Sequence, residues 1–292
     1  MKFNKIKIFL EMIKFEHTIF ALPFAFMGAI LGSVVVMHHL PNWGTIGWII
    51  LAMVGARSAA MGLNRLIDRT IDAKNPRTSL RAIPAGLLSS KEVIIFIIIS
   101  LVLLMVASFQ LNILSAKLMP IAVIMLVLYS YTKRFTWACH IFLGLTIGLA
   151  PLGGWVAVTG EIDLTAIILY LTVAFWTAGF DIIYALQDID FDRSQGLLSI
   201  PSRFGLTAAL RIARVFHVVT ALGFASLFFM TELSWGYFAG LLIAYLLLIY
   251  EHRLVSPKDL SRLNTAFFTM NGILSVIVFI FTWIDLAVLH RW

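Results

Sequence analysis

Charge is the first thing this sequence lacks. Asp, Glu, Lys and Arg make up 13% of its 292 residues, about half the share usual in soluble domains. With 61% hydrophobic residues, a soluble chain of this length has no means of covering its apolar surface. The apolar residues come in runs of about 20 between short polar stretches, the length that crosses a bilayer as a helix. Period-2 alternation is missing from these runs, which argues against a transmembrane β-barrel. Cysteine is nearly absent. Cys139 stands alone, which excludes an internal disulfide and any CxxC metal site. No A-x-A-like cleavage site follows the basic start MKFNKIKIFLEMIKFEH, which reads as an amphipathic surface helix leading into the first span rather than a signal peptide.

What is there predicts an all-α integral membrane protein with nine transmembrane helices, over 18–37, 45–65, 92–109, 117–132, 137–159, 164–184, 209–229, 235–250 and 268–289. Residues 1–292 read as a single domain. The net charge of +7 would suggest nucleic acid in a soluble protein. Here its placement gives a membrane cause, and no nucleic-acid partner is expected. Segments 1–17, 65–91, 133–134, 185–214 and 251–262 fall on one side and hold 19 of the 22 Lys and Arg. The positive-inside bias then puts the N-terminus in the cytoplasm and the C-terminus outside. Asp68 and Asp188 are 120 residues apart, as are Lys133 and Arg253. An offset of four spans preserves orientation, so a weak parallel duplication of spans 2–5 against 6–9 is expected.

The scarce acids are concentrated. Span 2 ends in Asn64, Asp68 and Asp72, at i, i+4 and i+8, on one helical face. Span 6 ends in Asp181, Tyr184 and Asp188, at i, i+3 and i+7, with Asp190 and Asp192 just beyond; Asp192 joins the same face if the helix continues. Ionisable residues in membrane helices are costly and usually functional. Hard oxygen ligands without clustered Cys or His suit Mg²⁺, which keeps waters and completes its shell with phosphate oxygens. The expected metal ligands are Asn64, Asp68, Asp72, Asp181, Asp188 and Asp192. Bases are interleaved with them: Arg65, Arg69, Lys74, Arg77, Arg81, Lys133, Arg134, Arg193 and Arg203. Such a bowl suits a magnesium–diphosphate ligand, with carboxylates on the metal and Arg and Lys on the remaining oxygens.

These residues carry a family resemblance. GLNRLIDRTIDAKNPRTSLRAIPAG resembles the first signature of the UbiA prenyltransferase superfamily, through Asn64, Asp68, Asp72, Arg77, Thr78, Arg81, Pro84 and Gly86; Arg57, two turns earlier, also matches. DIIYALQDIDFD is similar to the second signature through Asp181, Tyr184, Ala185, Asp188 and Asp192, and YTKRFT to a third stretch through Lys133 and Arg134. The resemblance covers nearly the whole chain. It departs from the 4-hydroxybenzoate enzymes at Arg65, Ala82, Ile189 and His140, and in the opening KFEHTIFALPF. HTIFALPF looks more like the branch whose acceptor is 1,4-dihydroxy-6-naphthoate in menaquinone synthesis.

The resemblance implies transfer of a polyprenyl chain from polyprenyl diphosphate to an aromatic acceptor in quinone biosynthesis, at the cytoplasmic face of a bacterial inner membrane. Mg²⁺ is the implied cofactor, and Arg57, Arg77, Arg81, Lys133 and Arg134 are the implied diphosphate-binding residues. The two leading acceptors are 4-hydroxybenzoate and a dihydroxynaphthoate. An allylic cation needs shielding by ring faces, for which Tyr184 is the first candidate and Phe20, Phe24 and Trp176 are weaker ones. His17, His140 and Arg134 are candidate acceptor-binding residues, Arg134 because its fork grips a carboxylate. A haem O synthase-like enzyme and a secondary transporter are the competing readings. Transporters usually hold their ions near the midplane on broken helices in inverted repeats, whereas these acids sit at helix ends.

Overall fold

The computed structural model describes residues 2–13 and 20–289. His17, a candidate acceptor ligand, lies outside the described residues. A short helix α1 (Lys2–Met12) is followed by α2 (Leu22–Met37), α3 (Trp43–Ile67), the single turn α4 (Arg69–Asp72), α5 (Ser90–Leu111), α6 (Ile113–Thr132), α7 (Cys139–Thr159) and α8 (Leu164–Ala185). Then come α9 (Ile189–Ser194), α10 (Ile200–Met230), α11 (Trp235–Leu254), a π-helical turn (Thr265–Met270) and α12 (Asn271–Ile284). The only β pairing among the described residues is one isolated bridge, Ser256 to Asp259. Among the described residues eight helical stretches are long and apolar enough to cross a membrane, and α2 is a shorter apolar helix of 16 residues.

Local chemistry sets several ends that apolar runs alone misplace. The fourth expected span starts at Ile113 rather than 117 because Asn112 caps it, accepting from the Ser115 amide at 2.8 Å. The same side chain donates to Val156 O at 2.6 Å and pins this end to α7. The seventh expected span begins nine residues early, at Ile200, behind a Ser199–Ser202 capping box with Pro201 in the first turn. Gly205 breaks the helix at φ 79°, ψ 170°, backbone that only glycine adopts without strain.

The interior is aromatic. Phe24, Trp155, Trp176, Phe224 and Tyr237 are fully buried among α2, α7, α8, α10 and α11. The outer faces carry exposed Ile95, Ile98, Ile99, Val218, Leu222, Phe229 and Leu246. An exterior of this kind is matched to lipid tails rather than water.

Close approach between α2 and α7 depends on missing side chains. A Cβ on Gly28 would stand 2.0 Å from Pro151 O, and one on Gly154 would stand 2.0 Å from Ala25 O. This is the small-residue packing that membrane helices use. Gly154→Val should therefore destabilise the detergent-solubilised protein by about 1–3 kcal/mol or more. Gly153→Ala, with nothing within 4 Å of the added atom, should leave the melting temperature unchanged. Equal melting temperatures for the two variants would contradict this packing.

Candidate active site

Both acidic clusters sit where a membrane helix is interrupted. α3 stops at Ile67, and Asp68 takes φ −90°, ψ 1° before α4 resumes. The Asp68 and Asp72 amides still donate four residues back, to Asn64 O at 2.9 Å and Asp68 O at 2.8 Å. Helical spacing thus survives the break, and all three side chains stay on one face. In the second cluster α8 ends at Ala185, passes through a 3₁₀ turn Leu186–Asp188, and resumes as α9 with Asp188 at φ −104°, ψ 5°. The helix does not continue unbroken to Asp192. Asp192 nevertheless lines the same cavity, whereas Asp190 is exposed and stays off its wall.

That cavity has a volume of about 840 Å³. Arg57, Asn64, Asp68, Asp72, Arg77 and Arg81 reach it from one side, and Lys133, His140, Asp181, Tyr184, Asp188 and Asp192 from the other. The two clusters therefore face each other across one chamber. Arg69, Lys74, Arg193 and Arg203 do not line it.

Acids and bases are interlocked around the chamber. Lys133 Nζ donates to Asp68 Oδ2 at 2.6 Å, and Arg134 Nη2 to Asp68 Oδ1 at 2.9 Å. Arg81 Nη1 bridges both oxygens of Asp72, at 2.7 and 2.8 Å. Arg77 grips Asp188 with Nε at 3.0 Å and Nη2 at 2.6 Å, and Asn75 Nδ2 adds a third donor at 3.1 Å. Burial works against the Arg77 charge, and the hydrogen bond and charge of Asp188 more than offset it, so its pKa lies above the ordinary arginine value. His140 Nδ1 meets Asp181 Oδ2 at 2.7 Å, and Ser199 Oγ donates to Asp192 Oδ2 at 3.0 Å.

Several candidates are placed differently from their expected roles. Arg134 is not on the cavity wall. Its guanidinium holds the backbone where α3 ends, donating to Ile67 O at 3.0 Å and Ser130 O at 2.7 Å besides Asp68. Phe24 and Trp176 pack against each other in the core, with ring centroids 5.0 Å apart, and do not reach the chamber. Tyr184 and Phe20 do line it. The Arg77 guanidinium carbon lies 5.5 Å above the Tyr184 ring.

Other lining residues escaped the sequence reading. Asn75 binds Asp188 and accepts from the Arg77 amide at 2.9 Å. The Asn-Pro dipeptide that starts this turn was its only signal. Ser199 comes from a loop whose Leu198 amide binds Lys133 O at 2.8 Å. Phe267 and Phe268, from the last membrane helix, complete an aromatic wall with Tyr184, and Phe267 stacks on that ring at 4.0 Å. One aromatic pair among 23 phenylalanines carries no distinguishing pattern.

A second cavity of about 260 Å³ lies deeper, between α2, α3, α5, α6 and α7. Its walls are almost wholly apolar, including Ile49, Met53, Leu104, Leu118, Met119 and Leu126. Ala21, Arg57, Met61, Tyr129, Leu143 and Ile147 line both cavities. The charged chamber thus abuts an apolar one, with Arg57 among the residues they share.

The donor set suits a hard divalent ion, since it offers carboxylate and amide oxygens. Among the described residues no three His, Cys, Asp or Glu side chains stand close enough to hold an ion by themselves.

Fold and site together define a multi-pass integral membrane protein with a charged chamber beside an apolar one. Residues 21–273 match the UbiA prenyltransferase family, and the chain belongs to it. A 4-hydroxybenzoate octaprenyltransferase of Vibrio campbellii is 28% identical over 283 residues, 95% of this chain and 97% of that one. The apo structure of a UbiA homologue from Aeropyrum pernix K1 matches with a TM-score of 0.84 at 29% identity, over 92% of this chain and 98% of that one. A UbiA homologue from Archaeoglobus fulgidus, solved with DMAPP and Mg²⁺, shares the fold at a TM-score of 0.75 and 22% identity, over 96% and 99% of the two chains.

Proposed function

We propose that this chain transfers a polyprenyl group from polyprenyl diphosphate to the ring of 4-hydroxybenzoate in quinone biosynthesis, releasing diphosphate. The observation that carries this reading is that the two cavities adjoin, sharing six lining residues. A polyprenyl diphosphate has a polyanionic head and a long apolar tail, and the charged and apolar chambers match those parts in order. The acceptor is supported by relatives named as 4-hydroxybenzoate prenyltransferases across most of the chain.

Mg²⁺ would be held by Asn64, Asp68, Asp72, Asp181, Asp188 and Asp192, where it would neutralise charge on the departing diphosphate. Arg77, Arg81 and Lys133 exchange their carboxylate partners for phosphate oxygens when the head group enters. The planar fork of each arginine suits phosphate as well as carboxylate. As Arg77 turns to the phosphate it uncovers the Tyr184 ring face, and that face shields the allylic cation left by C–O cleavage. The electron-rich acceptor ring attacks the cation, and loss of the ring proton restores aromaticity. No protein nucleophile takes part. Cys139 lines the chamber with its thiol 3.5 Å from Leu198 O and takes no covalent part.

Further elements of this proposal concern topology. α2 joins the eight longer stretches as a ninth span, the N-terminus and the chamber face the cytoplasm of a bacterial inner membrane, and the C-terminus lies outside. The charge asymmetry of the sequence supports this orientation. The chain is one domain with an old duplication, spans 2–5 against 6–9, supported by the matching helix breaks at Asp68 and Asp188.

Arg134 acts through Asp68 rather than on the acceptor. Arg134→Ala should lower kcat and weaken Mg²⁺ and diphosphate binding together, with little change in the acceptor KM. A selective rise in acceptor KM would restore Arg134 to the acceptor site.

A second reading, 1,4-dihydroxy-6-naphthoate as acceptor, is favoured by the HTIFALPF opening. Membranes containing the protein should be incubated with labelled polyprenyl diphosphate, Mg²⁺ and each acceptor in turn. Prenylated 4-hydroxybenzoate is the expected product. Prenylation of the naphthoate alone would establish the second reading, and no ring product from either would refute both.

A further inference from the structure

The last membrane helix does not start as an α-helix. Thr265–Met270 winds as a π-turn before α12 takes over at Asn271. Such a turn disturbs the usual i→i+4 pairing of backbone groups, and within a membrane the protein must satisfy them itself. Here one side chain adds to the backbone pairing. Asn271 Nδ2 donates to Ala266 O and Phe267 O, both at 3.1 Å, and to Glu251 Oε1 at 2.8 Å. Asn271 and Glu251 are each 0% exposed.

A carboxylate buried in a membrane helix is costly unless it has work to do. Glu251 does not line the chamber, so substrate contact is not that work. It is hydrogen-bonded to Asn271 and lies beside a small polar cluster. His217 Nδ1 lies 3.8 Å from Glu251 Oε2 and 2.9 Å from His252 Nε2, and His217 Nε2 lies 3.3 Å from Trp176 O. The Glu251–Asn271 hydrogen bond joins α11 to the π-turn, and the His217–His252 pair, which links α10 to α11 and reaches α8 at Trp176 O, lies beside it.

The other face of the turn carries Phe267 and Phe268, which both line the chamber. With more residues per turn than an α-helix, a π-turn brings consecutive side chains closer to one face. Phe267 stacks on Tyr184 at 4.0 Å and meets Phe180 at 5.3 Å and Phe20 at 5.7 Å. Phe268 stands edge-on to Tyr184 at 5.8 Å. Neither Phe267 nor Phe268 can keep this place if the π-turn relaxes to α, because the relaxation rotates both.

We propose that Asn271, oriented by Glu251, is a positioning residue that holds the π-turn so that Phe267 and Phe268 form the wall on which the aromatic acceptor is seated. The inference rests on the ring prenylation proposed above and adds a determinant of acceptor binding outside the signature motifs. Asn271→Leu keeps the bulk and removes the amide. It should raise the acceptor KM at least about tenfold while leaving the prenyl diphosphate KM unchanged. Combining it with Phe267→Leu should cost less than the two changes added, since both act through one wall. Glu251→Ala should behave like Asn271→Leu. Glu251→Gln, which can still accept from the Asn271 amide, should recover part of that loss, and it serves as the milder variant where Asn271→Leu folds poorly. Equal changes in both KM values, or an unchanged acceptor KM with wild-type turnover intact, would reduce the network to a structural role and overturn the inference. Absence of ring prenylation by the wild type would instead sink the functional reading and this inference with it.

Discussion

Asp188→Asn should lower kcat at least about a hundredfold, the scale of losing one preorganised electrostatic contact, roughly 2.7–4 kcal/mol. Asp188 is the most heavily engaged acid of the second cluster, gripped by Arg77 Nε and Nη2 and by Asn75. The asparagine is isosteric but keeps a single acceptor oxygen, which can still take Asn75 Nδ2 and Arg77 Nε, while its amide nitrogen meets Arg77 Nη2 donor to donor, so one negative charge and one hydrogen bond are lost. Stability should fall by about 1–3 kcal/mol, because Arg77 Nη2 loses its acceptor in a pair whose side chains are only 32% and 16% exposed. Asp68→Ala should abolish turnover too, but with a larger penalty to the fold. Asp68 is 2% exposed and compensates both Lys133 and Arg134, so its removal leaves two bases without their acid. Steady-state rates with thermal melts of each variant check this. Wild-type kcat in Asp188→Asn would remove the second cluster from the chemistry.

Metal removal should have the other large effect. With excess EDTA, prenyl transfer should fall to background, and excess Mg²⁺ should restore it. The carboxylates by themselves face a polyanion, and Arg77, Arg81 and Lys133 cannot offset both the acids and the incoming phosphates. An oxygen-only donor set favours Mg²⁺ over softer ions. The folded state itself should survive chelation, since each acid of the first cluster already has a base as partner. Turnover at the uninhibited rate in EDTA would contradict the metal assignment.

Much of this site was legible in the sequence because its information is local. Asn64, Asp68 and Asp72 declare a shared face by spacing, and the helix break at Asp68 leaves that spacing intact because its hydrogen bonds remain four residues apart. The second cluster was legible for the same reason, although the 3₁₀ turn at Leu186–Asp188 was not. What escaped is long-range. That Arg134 faces backbone carbonyls and Asp68 while its neighbour Lys133 faces the chamber depends on how α6 ends against α3. Phe24 and Trp176 look no different in sequence from Phe20, yet only Phe20 reaches the chamber. The π-turn at Thr265–Met270 owes its shape to Asn271 and Glu251, 20 residues apart on neighbouring helices. Nothing in an apolar run announces such a pairing.

The central claim is that the two acidic clusters act together, with metal, on a diphosphate head whose tail enters the apolar chamber. Binding of a non-ionising polyprenyl thiodiphosphate to purified protein in nanodiscs tests it without relying on turnover. Affinity should be high with Mg²⁺, drop at least about tenfold in EDTA, and drop similarly in Asp68→Asn and Asp188→Asn measured separately with Mg²⁺. Equal affinity with and without Mg²⁺, or loss in only one of the two variants, would contradict a single metal–diphosphate site built from both clusters.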